Sequence, residues 1–355
     1  MTLEAFAAEL TATAGALAAS GKGLLAADES TGTIGKRFAA IGVDNSEANR
    51  CAYRSLLAGS EGLEQFISGV ILYEETLFQA SSDGPAIVSL FQQRGIIPGI
   101  KVDQGVQPLA GGLAGETWCT GLQGLQERAA RYYARGARFA KWRAVLPISA
   151  EGAPSALAIR ENAWGLARYA RTVQEEGLVP IVEPEILMDG DHAIETTAEV
   201  QETVLREVYA SLAGNGVLLE GSLLKPSMTT AGAAWPGPRD PQQVAEFTVR
   251  TLRRTVPASV PGILFLSGGM SEEEASLNLN AINRVGRGGP WHLGFSFGRA
   301  LQHSSLKQWA GHDRAAGQRA LLARARANSE ASLGAYRAGS QPSDDASLFV
   351  AGYSY

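Results

Sequence analysis

The chain is poor in cysteine, histidine and long apolar runs, and each shortage removes a class of explanation. Cys51 and Cys119 are the only cysteines in 355 residues. Two thiols make no disulfide framework, and so low a count suits a reducing compartment; both are read as packing residues. The four histidines, His192, His292, His303 and His312, lack the close ligand spacing of HExxH and similar zinc motifs. They are read as surface or packing residues, and neither a metal nor another cofactor is expected. No apolar stretch reaches 18 residues, so no membrane span is expected. A net charge of −5 provides no global field to recruit nucleic acid or an anionic membrane. An anionic substrate must then be held by a local cluster of cations. The opening MTLEAFAAEL is acidic and amphipathic, unlike a signal or transit peptide. The expected location is cytoplasmic.

What the chain does have is a regular alternation of short apolar runs and helical stretches. Apolar runs lie at 23–28, 66–73, 96–102, 138–145, 178–186, 217–226, 262–267 and 290–297. Between them, amphipathic segments read as helices: 46–57 with Ser46 as cap, 85–94, 125–135, 155–176 ending at Gly177, 196–212, 241–254, 300–311 and 313–338. A further helix opens the chain, Ser271 and the three glutamates after it resemble a capping box, and 28–34 and 108–124 read as loops. Eight strands separated by helices are the signature of a (β/α)8 barrel. A doubly wound open sheet usually carries G-x-G-x-x-G after its first strand, and none stands there. The expected organisation is a single-domain α/β barrel over 1–338, with residues 339–355 a flexible tail.

The polar residues fall at the ends of those strands. In chain order they are Asp28, Lys101 with Asp103, Lys141 with Arg143, Glu183 with Glu185, Lys225, Ser267, and Ser296 with Arg299. Three pairs are spaced by two, which places both members on one face of a strand. A closed barrel brings such faces together at its carboxyl-terminal rim, where barrel enzymes place their sites. Lys225 ends an apolar run and is followed by Pro226, so the strand should stop there. A lysine taken out of water and set near a second cation, Lys141, loses preference for its charged form, and a neutral amine attacks carbonyls. Glu183 and Glu185 at close range resist joint ionisation, so one of them is expected to keep a proton. Ser267-Gly268-Gly269 before a capped helix, with Gly298-Arg299 beside it in barrel order, forms a candidate phosphate site. Lys101, Arg143, Lys36 and Arg37 form a second candidate anion site across the mouth. Two anion sites flanking an imine-forming lysine point to a bisphosphorylated sugar.

These residues closely resemble class I fructose-1,6-bisphosphate aldolase. The matching strings are LLAADESTG ending at Gly32, GIKVD around Lys101, AKWR around Lys141, EPEIL from Glu183, LLKP around Lys225, LSGG around Ser267 and GRAL from Gly298. They run in order from Gly23 to Leu301, so the resemblance spans nearly the whole chain. It implies reversible, metal-independent cleavage of fructose 1,6-bisphosphate to dihydroxyacetone phosphate and glyceraldehyde 3-phosphate. Lys225 would form the Schiff base, Glu183 would shuttle protons with help from Glu185, and Lys141 would balance charge. Asp28 would accept the C4 hydroxyl proton, and Tyr355 would protonate the three-carbon product. Ser267, Gly268, Gly269, Ser296 and Arg299 would hold one phosphate; Lys101, Arg143, Arg37 and Ser30 would hold the other. The resemblance also implies a homotetramer.

The chain departs from the family pattern at three places. Phe297 stands where the family usually has tyrosine, which is expected to alter the phosphate pocket slightly. Thr33 replaces a frequent serine, and the ending AGYSY differs from the commoner tail. Sedoheptulose 1,7-bisphosphate and fructose 1-phosphate are alternative substrates for the same chemistry. A metal-dependent aldolase and a non-catalytic scaffold are the readings from other classes.

Overall fold

Short strands joined by helices can satisfy their backbone groups only by pairing with one another, and in this chain the pairing closes on itself. The structure, a computed structural model, describes residues 3–352. Its strands are β1 (Gly23–Ala27), β2 (Ile67–Leu72), β3 (Ile97–Lys101), β4 (Val106–Pro108) and β5 (Thr117–Cys119). There follow β6 (Phe139–Leu146), β7 (Val179–Ile186), β8 (Leu223–Leu224), β9 (Gly262–Phe265) and β10 (His292–Phe297). All but β4 and β5 form a closed parallel barrel in chain order, with β10 pairing back to β1. The expected (β/α)8 barrel is therefore the observed fold. Every residue of β1, β2, β6, β7 and β9 is buried, as strands covered by helices outside and side chains inside must be.

The first helix, Leu3–Leu17, decides which end of the barrel is open. Phe6, Leu10, Ala14 and Leu17 fall three or four apart on one face and are buried. They pack against Leu24, Ile71, Phe139, Ile181, Leu223 and Leu264 of the barrel interior. Burying side chains of this size stabilises by roughly 1.5–3 kcal/mol each. The approach is close: a Cβ built on Gly221, just before β8, would lie 2.9 Å from the Leu10 Cβ. The helix thus plugs the amino-terminal end, and the carboxyl-terminal end is left for chemistry.

Several local expectations need correction. The stretch after Asp28 is a helix, Thr31–Ala39, because Ser30 caps it and Ile34 and Phe38 are buried beneath it. The run 217–226 pairs only at Leu223 and Leu224, because a 3-10 turn occupies Leu219–Gly221. The Lys225 N–H still donates to the Val182 carbonyl at 2.8 Å, so the lysine continues the strand direction. The supposed loop 108–124 contains strand β5, which pairs antiparallel with β4 at its leading edge. A short helix at Glu74–Phe78 had no counterpart among the expected elements, and the last helix ends at Ser332, not 338. Phe297 lies fully buried 5.5 Å from Phe295, on the face of β10 opposite Ser296, so it does not enter the pocket.

The segment expected to be a flexible tail makes specific contacts over its described part. Asp344 Oδ2 lies 2.9 Å from Lys307 Nζ and 3.3 Å from His303 Nε2. The Leu348 N–H donates to the Gly269 carbonyl at 3.0 Å, and the Gly352 N–H to Asp189 Oδ1 at 2.6 Å. Tyr355 lies outside the described residues.

Candidate active site

Alternation along β6 and β7 builds the centre of the site. Lys141 and Arg143 point inward while Trp142, between them, points outward and stacks on Tyr169 with centroids 5.4 Å apart. The Tyr169 hydroxyl, itself buried, donates to the carbonyls of Ala140 and Ile181, which locks β6 to β7. The register pairs Arg143 with Glu183 and Val145 with Glu185, and on the other side pairs Lys101 with Lys141. The spacing-by-two pairs therefore do share inward faces, as their sequence predicts.

Lys225 Nζ lies 3.3 Å from Glu183 Oε1. The other oxygen of Glu183 lies 3.4 Å from Lys141 Nζ, which in turn lies 2.8 Å from Asp28 Oδ2. One carboxylate thus bridges both lysines. Arg143 Nε meets Glu185 Oε2 at 2.5 Å, and Lys101 Nζ meets Asp103 Oδ1 at 2.5 Å. All of these side chains are buried, Lys141 completely. Burying so many charges is tolerable because each cation faces a carboxylate.

Burial pushes the Asp28 carboxyl up, but Lys141, Lys225 and Lys101 together outweigh it and hold it well below the usual range. Asp28 is therefore a carboxylate at neutral pH and able to accept a proton. Burial likewise raises Glu185, and the Arg143 guanidinium more than reverses it. Glu185 therefore holds its charge beside Arg143, its close neighbour.

Asp28, Arg37, Arg143, Glu183, Glu185 and Lys225 border one cavity together with Ser267, Gly268, Ser296 and Arg299. Gly268 and Gly269 have φ of +57° and +99°, a conformation that turns successive N–H groups toward an anion. The Ser296 hydroxyl is buried and, among the described residues, lacks a hydrogen-bond partner, so it is available to a ligand oxygen. Arg299 Nη1 donates to the Leu348 carbonyl at 2.5 Å.

Other expected ligands do not reach the cavity wall. Lys101 turns toward Asp103, Lys36 faces solvent, and the Ser30 oxygen caps its helix by accepting from the Thr33 N–H at 3.2 Å. Gly269 lies under the tail, so close that an added Cβ would stand 2.7 Å from the Phe349 Cα. Lys141 sits beneath the floor of the cavity. Sequence reasoning missed Glu29, which does line it and holds Arg37 by an ion pair. Arg54 Nη2 at 2.6 Å and Gln302 Nε2 at 2.9 Å complete its shell. Its adjacency to Asp28 was the available signal; Arg37 comes from the next helix, while Arg54 and Gln302 come from helices that no motif links to it. Among the described residues no helix is long and apolar enough to cross a membrane, and no cluster of His, Cys, Asp or Glu is arranged to hold a metal ion.

The family model for Fructose-bisphosphate aldolase class-I matches residues 9–355. Fructose-bisphosphate aldolase 3, chloroplastic, of Arabidopsis thaliana is 55% identical over 354 residues, covering 99% of this chain and 89% of that protein. Fructose-bisphosphate aldolase 5, cytosolic, of the same plant is 57% identical, with coverage of 99% and 98%. A solved structure of fructose-bisphosphate aldolase from Plasmodium falciparum, in complex with TRAP and a small-molecule inhibitor, matches with a TM-score of 0.93. It is 55% identical, covering 94% of this chain and 96% of that one. The relatives include cytosolic and chloroplastic proteins, so likeness to them assigns no compartment.

Proposed function

This chain belongs to the class-I fructose-bisphosphate aldolase family and is a lyase acting on fructose 1,6-bisphosphate, and we propose that Lys225 is its Schiff-base nucleophile. The observation that carries the reading is the chain of contacts Lys225–Glu183–Lys141–Asp28, with steps of 3.3, 3.4 and 2.8 Å. In its neutral form the Lys225 amine adds to the C2 carbonyl, and Glu183, in contact with that nitrogen, moves the protons that let water leave. The resulting protonated imine draws electrons, so the C3–C4 bond can break without a metal. Asp28, held as a carboxylate, takes the C4 hydroxyl proton as glyceraldehyde 3-phosphate departs. Lys141 keeps its charge between Asp28 and Glu183, and Glu185 steadies Arg143 at the rim. The enamine is then protonated, a step assigned by resemblance to Tyr355, and hydrolysis frees dihydroxyacetone phosphate.

One phosphate is assigned to Ser267, Gly268, Ser296 and Arg299 and the other to Arg143 and Arg37, which border the cavity; the resemblance adds Gly269 to the first and Lys101 and Ser30 to the second, and these three must move to reach it. The cavity, about 70 Å³, is far smaller than the ~300–1,000 Å³ of ordinary small-molecule sites. Substrate entry therefore calls for movement, and the described tail, 339–352, is taken to lift from Gly269 and Arg299. A cytoplasmic location rests on the low cysteine count, and a homotetramer on the family resemblance; cell fractionation and native mass measurement test them. Borohydride reduction with dihydroxyacetone phosphate, followed by peptide mass analysis, tests the nucleophile. The expected adduct is on Lys225, and its absence would refute the imine mechanism.

A further inference from the structure

Asp103 is a buried carboxylate at the centre of the cation cluster to which the mechanism above gives no role. It does not border the cavity, so it does not reach substrate. Its Oδ1 lies 2.5 Å from Lys101 Nζ; its Oδ2 lies 3.9 Å from Lys141 Nζ and accepts from the Arg143 N–H at 3.4 Å. The β3–β6 register sets Lys101 directly beside Lys141. Two ammonium groups so placed repel, and Asp103 lies within 4 Å of both. We propose that Asp103 is a positioning residue for the cleavage reaction, fixing the Lys141 ammonium between Asp28 and Glu183 while anchoring Lys101 to the same carboxylate.

The inference rests on the assignment of Lys141 and Lys225 given above. The charged groups facing Lys141 are Asp28 beyond β1, Lys101 and Asp103 at the end of β3, Glu183 on β7 and Lys225 beyond β8. Tyr169 and Cys119 are also near, and burial raises both, so neither supplies charge at neutral pH. Among the described residues, three carboxylates therefore stabilise the Lys141 charge against two lysines. Neutralising one of the three makes Lys141 give up its proton at lower pH than in the unaltered enzyme.

The test is Asp103→Asn, nearly isosteric with aspartate, measured as kcat and KM for fructose 1,6-bisphosphate across pH. A displaced Lys141 lowers kcat by roughly tenfold to a hundredfold while KM stays within about threefold. The alkaline limb of the kcat profile moves toward neutral by about half a pH unit or more. A structural role alone would lower the folded fraction and leave that limb in place. If Asp103→Asn does not fold, Asp103→Asn combined with Lys101→Met restores the charge balance: its alkaline limb should stand where the unaltered enzyme's does while kcat stays lowered, and full kcat per folded molecule overturns the proposal. An unmoved limb with unaltered kcat per folded molecule, or an increase confined to KM, overturns the proposal. Trapping on Lys225 separates the two readings. A missing adduct in the unaltered enzyme refutes the nucleophile, whereas an intact adduct with an inert Asp103→Asn refutes only the role of Asp103.

Discussion

Replacing Lys141 with methionine removes the charge on which both carboxylates of the cleavage step depend. Lys141 is fully buried, 2.8 Å from Asp28, 3.4 Å from Glu183 and 3.9 Å from Asp103. Unit charges 2.8 Å apart attract by about 6 kcal/mol at an effective dielectric of ~20. Desolvation offsets part of that attraction, and breaking a buried pair by removing one partner costs ~3–5 kcal/mol, chiefly through the charges left behind. The unfolding free energy should therefore fall by ~3–5 kcal/mol at neutral pH. Asp28 loses its leading cation, so burial acts on it with only Lys225 and Lys101 opposing. An acid whose folded pKa lies below its unfolded value contributes stability above the unfolded value, about 4 for aspartate. That contribution is lost as pH falls through the folded value. The variant lacks most of it, so the stability gap between the two proteins should narrow below about pH 4. For catalysis, Asp28 becomes a poorer carboxylate and Glu183 loses its second partner, so kcat should drop roughly 10²–10⁴-fold. The acid limb of kcat should move to higher pH. Urea unfolding at pH 7 and pH 3, with steady-state kinetics across pH, measures both effects. A kcat within threefold of the unaltered enzyme, or a stability gap that ignores pH, would show that Lys141 is not the electrostatic hub described.

Three further outcomes follow from the same geometry. Asp28→Asn should still give the Lys225 adduct with dihydroxyacetone phosphate while cleavage of the bisphosphate slows by about 10²–10⁴-fold; loss of the adduct as well would assign Asp28 to imine formation. Ser296→Ala removes a hydroxyl that has no partner among the described residues, so thermal stability should hold or rise slightly. Its KM for fructose 1,6-bisphosphate should increase about tenfold if the hydroxyl bonds a phosphate oxygen, and an unchanged KM would remove it from the site. Deleting Tyr355 should slow turnover and leave borohydride trapping on Lys225 intact; equal turnover in the truncated enzyme would end its assigned role.

The barrel and its catalytic rim were legible because they obey local rules. Alternation of apolar runs and helices gave the fold, and the spacing of Lys141 with Arg143 and of Glu183 with Glu185 gave the inward faces. What escaped the sequence depended on contacts between distant elements. The helix Thr31–Ala39 carries Gly32 and Gly35, which weaken helix propensity, yet Ser30 as cap and the burial of Ile34 and Phe38 override them. Glu29 looked like a neighbour of Asp28, but its role is set by Arg37, Arg54 and Gln302 arriving from three separate helices. Asp103 shows a two-residue spacing to Lys101, whereas its contact with Lys141 exists only through the β3–β6 register.

The tail is the instructive case, because composition reads it as mobile while its described part makes specific anchoring contacts. Two of those anchors, the Leu348 N–H on the Gly269 carbonyl and the Leu348 carbonyl on Arg299, use backbone groups that every residue but proline carries. Backbone anchors leave no mark in an amino-acid sequence. They also join the tail to the same glycine and arginine assigned to a phosphate, so an anion arriving at Arg299 meets a hydrogen bond already made there. Docking of the tail and binding of that phosphate are then linked through one guanidinium, and weakening the first should tighten the second.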